Sequence, residues 1–249
     1  MLHVLRILML LTALLSFAVP GEALAQAASC RTLHHAEKEF AVCTVDMRRH
    51  DVKLFWKGAD GQPYGSFDRL LSSSSGSGLV LAMNAGMYHE DLSPVGLYVE
   101  NGQQLKAAST AGGPGNFHMK PNGIFFVSRG RAGVLETSRY LQQRPKAEFA
   151  TQSGPMLVIN GRIHPKISQQ GTSRKIRNGV GVQNPNTAVF AISNEPVTFY
   201  EFASLFRDAL NCPNALFLDG SISSLYAPQL SRKDGLLPIG PIIGVVARR

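Results

Sequence analysis

Short apolar runs, separated by glycine, proline, asparagine and serine, recur along most of this chain and restrict it to a strand-rich fold. The runs are rich in Val, Ile, Phe and Leu, which is typical of β-strands. The best candidates are Phe40–Val45, Val52–Trp56, Leu79–Met83, Val95–Val99, Gly123–Val127, Met156–Ile159, Thr187–Ile192, Ala215–Leu218 and Ile242–Val246. We therefore predict one α/β (α+β) domain with mixed β-sheets and a few packed helices.

Local signals also predict two helices and two tight turns. Thr198 and Glu201 form a T-x-x-E capping box, and apolar residues recur at helical spacing from there to Leu210. A shorter helix is predicted to begin at Ser66. Asn-Gly suits the positive dihedral angles of a type I′ turn. Hairpins are therefore expected at Asn101-Gly102 and Asn160-Gly161.

The first residues predict export. Arg6 is followed by the apolar run Ile7–Val19 and then by Ala23-Leu24-Ala25, which resembles the A-x-A cleavage site of a signal peptide. The run is short for a membrane span, which disfavours an uncleaved anchor. We expect residues 1–25 to be a signal peptide and residues 26–249 to be one periplasmic or secreted domain, without stable membrane insertion after cleavage.

The three cysteines allow two interpretations in an exported chain. Cys30 and Cys43 are placed to close a short loop by a disulfide, which would leave Cys212 unpaired. Alternatively, all three are small buried residues in the reduced state. The sequence does not supply the geometry that decides between them.

The net charge of +8 does not indicate a nucleic-acid partner. Basic residues are scattered, with one dense group at Arg174-Lys175 and Arg177, and no basic stripe is interleaved with aromatic residues. Anionic envelope material is a more natural partner for a basic exported protein.

Common catalytic and metal motifs do not occur in the sequence. It contains no G-x-S-x-G, H-E-x-x-H, P-loop or complete G-x-G-x-x-G motif. The cluster His89-Glu90-Asp91 has the residue types of a metal site, but a hydrophilic loop explains it equally well. The sequence requires no metal or other cofactor, although a divalent cation assisting a phosphate is compatible with it.

Four segments share one composition: a polar residue at the edge of an apolar strand, beside a glycine. Any one of them is an ordinary turn sequence, but together they are typical of a pocket for a hydroxyl-rich ligand. Arg177, which precedes the strand-like Gly179-Val180-Gly181, adds a guanidinium that can bind two phosphate oxygens. The four segments are Met83–Tyr88, Pro121–Phe125, Gln152–Val158 and Leu218–Ser224.

Taken in order, five segments resemble the phosphodiester glycosidase family, and in particular its short bacterial exported members. They are MNAGMY, PNGIFF, TQSGPMLVINGRI, IRNGVGV and FLDGSISSLY, and the resemblance extends from about Leu79 to Val246. It implies a single α/β domain with mixed sheets. It also implies hydrolysis of a sugar-1-phosphodiester to a free sugar and a phosphomonoester.

The resemblance also implies which residues form the site. Asp219 and Arg177 are the catalytic candidates. One departure bears on the identity of the sugar: the segment from Asp219 to Ser223 carries Ser221 and Ile222 where animal members tend to have glycine. The expected substrate-binding residues are Asn84, Gly86, Asn122, Gln152, Ser153, Gly154, Gly220, Ser223 and Ser224.

In the expected mechanism, Asp219 acts at the anomeric carbon as base or nucleophile while Arg177 holds the phosphate. If a second acid is needed, Asp91 and Glu90 are the candidates. Two alternatives remain open: a non-catalytic module that binds phosphorylated glycan, and a phosphodiesterase that cleaves the P–O bond.

Overall fold

The computed structural model describes residues 28–248, so the predicted signal peptide lies outside the described residues. Three antiparallel sheets form one domain. In spatial order, the first sheet contains β1 (Ser29–His35), β2 (Lys38–Asp46), β13 (Thr187–Ser193), β12 (Asn178–Asn184), β14 (Asn214–Asp219), β10 (Met156–Ile159) and β11 (Arg162–Ile163). The second contains β16 (Arg232–Lys233), β15 (Leu225–Ala227), β4 (Leu79–Asn84), β17 (Ile242–Ala247) and β3 (His50–Phe55). The third contains β6 (Gln103–Lys106), β5 (Tyr98–Glu100), β9 (Phe149–Ser153), β7 (Gly123–Ser128) and β8 (Arg131–Glu136).

Three short α-helices accompany the sheets. They are α1 (Phe67–Leu71), α2 (Thr137–Gln143) and α3 (Phe199–Ser204). A π-helical turn, Leu205–Ala209, continues α3. Single 3₁₀ turns occur at Ser74–Gly76, Asn116–His118 and Pro228–Leu230. Among the described residues, none of the helices has the length and apolar character needed to cross a membrane.

The first sheet is buried on both faces. Along β14, Leu216 and Leu218 face the main core shared with the other two sheets, whereas Phe217 faces a second cluster that contains Phe202 and Phe206 of the α3 segment. This alternation follows from the two-residue period of a strand. Strand β14 is therefore covered on both faces, and its C-terminal residue is Asp219.

The predicted α+β class is confirmed. The candidate strands are all present, although the one expected at Val95–Val99 is reduced to Tyr98–Glu100. The capping box at Thr198 and the N-cap at Ser66 form as predicted. Both Asn-Gly hairpin turns also form, and all four of their residues have positive φ.

Several strands and one helix were not predicted because they lack a continuous apolar run. In β8, Gly133 is needed because a Cβ there would overlap the ring of Phe126.

The polar edge strand β1 is joined to β2 by a disulfide between Cys30 and Cys43, whose Cα atoms lie 4.0 Å apart. Cys212 is free and buried, so the first of the two cysteine interpretations is the one observed.

Candidate active site

The ends of three strands meet at two buried asparagines. Asn178, at the start of β12, donates from Nδ2 to Asn84 Oδ1 at the end of β4 (2.7 Å). Its own Oδ1 accepts from the backbone N–H of Asp219 at the end of β14 (2.9 Å). Both asparagines are fully buried. This pair of hydrogen bonds fixes the end of the second sheet against the end of the first.

The loop after Asp219 is tied to the same asparagines. The backbone N–H of Ser224 donates to Asn84 Oδ1 (2.9 Å). Ser223 Oγ lies 3.0 Å from the carbonyl oxygen of Asp219 and 3.2 Å from that of Ile176. In this structure, therefore, Ser223 and Ser224 close the loop around Asp219.

The Asp219 carboxylate is almost buried, with 7% of the residue exposed. Its Oδ1 accepts from the backbone N–H groups of Gly220 (2.6 Å) and Ser221 (2.8 Å). Burial raises the pKa of Asp219, and these backbone donors oppose that rise without cancelling it. The backbone N–H of Ile222 also lowers this pKa, and within residues 28–248 the hydrogen bonds of ordinary length to the carboxylate both end on Oδ1. One carboxylate oxygen is thus held by the loop, and Oδ2 takes part in neither of these hydrogen bonds.

Two of the predicted glycines allow close approach of the backbone at this site. A Cβ at Gly220 would lie 2.9 Å from the Phe217 ring. Gly86 has a φ of +153°, and a Cβ there would lie 3.2 Å from Thr151 Oγ1. A side chain at Gly220 would press on the Phe217 ring, and one at Gly86 would press on β9.

Arg177 is buried, and its Nη1 lies next to Gly220, the residue after Asp219. Its Nε donates to the carbonyl oxygen of Val197 and its Nη2 to that of Ser173, both at 2.9 Å. The guanidinium stacks on the ring of Phe199, with Cζ 3.7 Å from the centroid. Burial lowers the pKa of Arg177 to about 10, so the group remains charged at neutral pH.

The Arg177 charge is unpaired. Within residues 28–248, no carboxylate lies in ion-pair range of its guanidinium, and the buried Nη1 has no hydrogen-bond partner. Arg174, by contrast, forms a bidentate ion pair with Glu201: Nη1 donates to Oε2 (2.9 Å) and Nη2 to Oε1 (3.1 Å). The expectation that Arg177 rather than Arg174 faces inward is confirmed.

A second buried donor near Asp219 also lacks an acceptor. Asn84 Nδ2 has no hydrogen-bond partner among the described residues, although Asn84 Oδ1 accepts two hydrogen bonds. Buried polar groups are nearly always paired, so two unpaired donors next to the Asp219 loop require an explanation. A ligand rich in acceptor oxygens, such as a phosphate or a sugar, is of the kind that would pair them.

The segment around Gln152 forms a separate polar cluster. Gln152 Oε1 accepts from the backbone N–H groups of Leu97 (3.0 Å) and Ser109 (2.9 Å). Its Nε2 donates to the carbonyl oxygen of Ser109 (2.7 Å) and to Thr137 Oγ1 (3.2 Å). These four bonds use the whole capacity of the amide. Contrary to expectation, Gln152 has no free group for substrate and instead holds the segment around Ser109.

Three other predicted residues connect this cluster to the site. Ser153 Oγ donates to the carbonyl oxygen of Leu218, the residue before Asp219 (2.8 Å). Asn122 Nδ2 donates to the carbonyl oxygen of Phe117 (2.9 Å). Gly154 packs so closely on Asn122 that a Cβ would lie 2.7 Å from the asparagine Cβ. The structure therefore brings Ser153 directly against the Asp219 strand, whereas Asn122 contacts Phe117 and Gly154.

Sequence reasoning missed two residues of the site, Asn178 and Tyr88. Asn178, in IRNGVGV, stands at a strand edge beside Gly179 and so carried the same signal as the four segments, whereas Tyr88, in MNAGMY, carries no such signal. Tyr88 donates from its hydroxyl to the carbonyl oxygen of Pro238 (2.8 Å). Burial, with the nearby Asp219 charge, raises the pKa of Tyr88 to about 12.

The acidic residues suggested as a second acid do not suit that role. Asp91 and Glu90 are exposed. Asp91 Oδ1 accepts from the N–H and the hydroxyl of Ser93, and these bonds lower its pKa, whereas a proton donor needs a raised one. Within residues 28–248, no group of three or more His, Cys, Asp or Glu side chains could hold a metal ion.

Comparison with known proteins defines the class to which this fold and site belong. Residues 77–246 match the phosphodiester glycosidase family, and the chain is a member of that family. The chain is also 40% identical to the uncharacterized protein YigE of Escherichia coli strain K12 over 196 residues, which cover 78% of this chain and 75% of YigE.

Solved structures show the same fold at low sequence identity. The catalytic domain of zebrafish N-acetylglucosamine-1-phosphodiester alpha-N-acetylglucosaminidase, auto-inhibited by its pro-peptide, aligns with a TM-score of 0.61 at 13% identity, covering 89% of this chain and 82% of that domain. A hypothetical protein from Synechocystis aligns with a TM-score of 0.57 at 15% identity, covering 88% of this chain and 61% of its own.

Proposed function

We propose that this protein is a hydrolase that cleaves the glycosidic C–O bond of a sugar-1-phosphodiester. Family membership supports a reaction of this type. The observation that carries the proposal is that Gly220, the residue after the buried carboxylate of Asp219, lies next to Arg177 Nη1, which is buried and has no partner among the described residues. A glycosyl phosphate needs these two groups, because positive charge develops at the sugar and negative charge on the departing phosphate.

Asp219 acts at the anomeric carbon through Oδ2, either by attacking it or by taking a proton from the attacking water. If Asp219 attacks, water then breaks the bond between its carboxylate and the sugar, which releases the carboxylate. The C–O bond to the phosphate breaks and its electron pair leaves with the phosphate oxygen. The hydroxyl of water ends on the sugar, and the remaining proton goes to solvent or to the phosphomonoester. Gly220 and Ser221 hold Oδ1 through their backbone N–H groups.

Arg177 neutralises the departing phosphate through Nη1, so that the leaving group needs no carboxylic acid. Gly220 lies next to that nitrogen: a Cβ at Gly220 would stand 3.5 Å from Nη1, so the glycine keeps the space beside Nη1 free of a side chain. Asn84 Nδ2 is the second donor to the ligand.

The remaining predicted residues support the site. Asn178, Ser153, Ser223 and Ser224 position Asp219 through its neighbours, whereas Gly86 and Gly154 allow the strands to approach. Asn122 and Gln152 form the supporting layer. The reaction as proposed needs no cofactor, and adding EDTA or Mg²⁺ to the assay would show whether a divalent cation assists the phosphate.

We also propose that the protein works in an exported compartment, periplasmic or secreted. The Cys30–Cys43 disulfide supports this location, because such bonds persist mainly in oxidising environments. The substrate would then be a phosphorylated envelope or extracellular glycan, and nucleic acid is not a proposed partner.

Hydrolysis of a sugar-1-phosphodiester in ¹⁸O-labelled water tests the reaction. Label in the released sugar, and none in the phosphomonoester, is the expected result because the C–O bond breaks. Label in the phosphate would identify a phosphodiesterase that cleaves the P–O bond. Tight binding of the diester without release of sugar would identify a glycan-binding module and overturn the proposal.

Two matched arginine variants test the role assigned to Arg177. Arg177→Lys removes the planar fork and is expected to lower kcat/KM by about 100-fold or more. Arg174→Lys changes the same residue type three positions earlier, where the guanidinium is already paired with Glu201, and should leave kcat/KM within about twofold. Equal losses in the two variants would contradict the assignment.

A further inference from the structure

Basic residues that are scattered along the sequence meet at one end of the folded chain. The backbone N–H of Arg248, just after β17, donates to the carbonyl oxygen of Arg49 in the turn between β2 and β3 (2.9 Å). Arg248 also reaches the turn between β7 and β8, because a Cβ at Gly130 would lie 2.8 Å from its Nη2. The carbonyl oxygen of Lys146 accepts from Ser128 Oγ beside the same turn (2.7 Å). The exposed basic residues of this region, which we call the basic end, are Arg48, Arg49, Arg129, Arg131, Lys146 and Arg248.

The turn between β12 and β13 holds the two arginine-bearing turns together. The carbonyl oxygen of Pro185 accepts from the backbone N–H of Ala132 at the start of β8 (2.9 Å). The carbonyl oxygen of Asn186 accepts from the backbone N–H of Met47, just after β2 (2.8 Å). Hydrogen bonds between strand ends therefore fix where the arginines stand relative to one another.

Much of the positive charge at the basic end is unpaired. Arg48 pairs with Asp46 (2.8 Å) and Arg248 pairs with Asp51 (2.6 Å). Glu148 is a further acidic residue in this region. Positive charge remains in excess, because four of the exposed basic residues have no carboxylate in ion-pair range within residues 28–248: Arg49, Arg129, Arg131 and Lys146.

The basic end lies at the opposite end of the first sheet from the proposed active site. Asp219 pairs with Asn178 at the start of β12. The other end of β12, Asn184, leads into the turn that contacts Ala132 and Met47. A strand of this length spans about 20 Å. A partner bound at the basic end therefore leaves the active site open.

The described part of the chain also begins at the basic end. Ser29, the first residue of β1, pairs with Thr44, close to the end of β2 at Asp46. Residues 20–27 separate Ala28 from the apolar run Ile7–Val19, and a segment of that length spans at most about 30 Å. An exported chain that still holds this run in a bilayer keeps its basic end within that distance of lipid headgroups. This placement favours a bilayer over a soluble polymer as the anionic partner.

We propose that the basic end docks the domain on a bilayer that contains anionic phospholipid, by contact with headgroup phosphates and without insertion. Guanidinium groups bind two phosphate oxygens in a fork, and clustered Lys and Arg side chains are attracted by the negative potential of such a surface. Docking holds the protein at the membrane with Asp219 and Arg177 at the far end of the sheet. The inference does not depend on the reaction at Asp219.

Cosedimentation of the purified protein with vesicles of about 30% phosphatidylglycerol in phosphatidylcholine tests the docking. We expect binding at low salt that is lost in about 0.5 M NaCl, because salt screens exposed charges. Vesicles of phosphatidylcholine alone should not bind. Equal binding to the two kinds of vesicle would overturn the proposal. Binding to soluble polyphosphate but to neither vesicle would also overturn it and would identify a polymer as the partner.

The triple variant Arg49→Gln/Arg129→Gln/Arg131→Gln tests the surface itself. None of these three side chains forms a hydrogen bond within residues 28–248, so the Tm of the variant should match that of the wild type. Each charge near an anionic surface changes partitioning by about fivefold, and the triple variant should therefore bind the anionic vesicles about 100-fold more weakly.

The matched control is Lys57→Gln/Lys120→Gln/Arg139→Gln, which removes as many charges from exposed residues elsewhere. Lys57 lies beyond the far end of β3, and the other two lie beyond the far end of the β7–β8 hairpin. This variant should bind the anionic vesicles within about threefold of the wild type. Equal losses in the two variants would show that net charge alone drives binding and would overturn the basic end as the docking surface. Vesicle binding without hydrolysis of any diester would leave the docking standing and overturn only the hydrolase proposal.

Discussion

Asp219 and Arg177 are two charged residues that are almost completely buried and yet do not pair with each other. Each is desolvated, which raises the pKa of the carboxyl and lowers that of the guanidinium. An isolated buried charge lowers the stability of the fold. We interpret this loss of stability as the consequence of keeping both groups ready for a ligand.

Replacing Asp219 with Asn is expected to abolish turnover without loss of stability at neutral pH. An amide oxygen can still accept from the N–H groups of Gly220 and Ser221, but a neutral amide is neither base nor nucleophile. We expect kcat to fall by about 10³-fold or more. A variant that retains a tenth of wild-type activity would contradict the assignment of Asp219.

The stability of the same variant should depend on pH in a defined direction. The folded chain keeps the Asp219 proton to a higher pH than the unfolded chain, so the wild type loses stability as pH rises through the folded pKa. The Asn variant has no titrating group at this position, so it does not lose stability in that pH range. Its Tm should exceed that of the wild type at neutral pH, and the gap should close below about pH 4. A gap that widens on acidification would be inconsistent with a raised pKa.

At the scale of elements, the start of α3 holds Arg177 in place. Val197 accepts from Arg177 Nε, and the next residue, Thr198, is the N-cap. Glu201 completes the capping box and also pairs with Arg174. A helix terminus, an arginine loop and the adjacent strand β12 are thus joined through a few side chains.

Thr198→Ala is expected to lower the free energy of unfolding by about 1 kcal/mol, because the backbone N–H of Glu201 loses its acceptor. Thr198→Ser keeps a hydroxyl at the N-cap and serves as the control. Urea unfolding monitored by circular dichroism provides the measurement. Equal midpoints for the two variants would show that the capping box adds nothing to stability.

For the whole molecule, the disulfide and the site lie at separate places in the first sheet. Cys30 and Cys43 join β1 to β2 at one edge, and two strands, β13 and β12, stand between β2 and the Asp219 strand. Stability and activity can therefore be changed independently at this edge.

Replacing both Cys30 and Cys43 with Ser should lower the free energy of unfolding by about 3 kcal/mol, because the unfolded chain regains the freedom of a short closed loop. The kcat of the folded variant should equal that of the wild type. Wild type treated with reductant is the control and should unfold at the same denaturant concentration as the variant. A change in kcat would show that β1 influences the site.

The elements of this fold could largely be predicted from local signals. Apolar runs such as Met156–Ile159 became strands with the predicted bounds, and the Asn-Gly pairs formed their turns. Strand β9 was missed because Thr151, Gln152 and Ser153 are polar. They can be buried because their side chains bond to distant segments: Thr151 to Ala85, Gln152 to Ser109, and Ser153 to Leu218 on β14.

By itself, the sequence determined the helix cap, the hairpin turns, the buried strands, the family resemblance and the choice of Asp219 and Arg177. Only the tertiary structure showed that Asn84 and Asn178, 94 residues apart, meet beside Asp219, and that the amide of Gln152 is already occupied. Turns, caps and strands depend on neighbouring residues and leave a local pattern. The pairing of a buried donor with its acceptor depends on which distant strands pack together, and no short stretch of sequence records it.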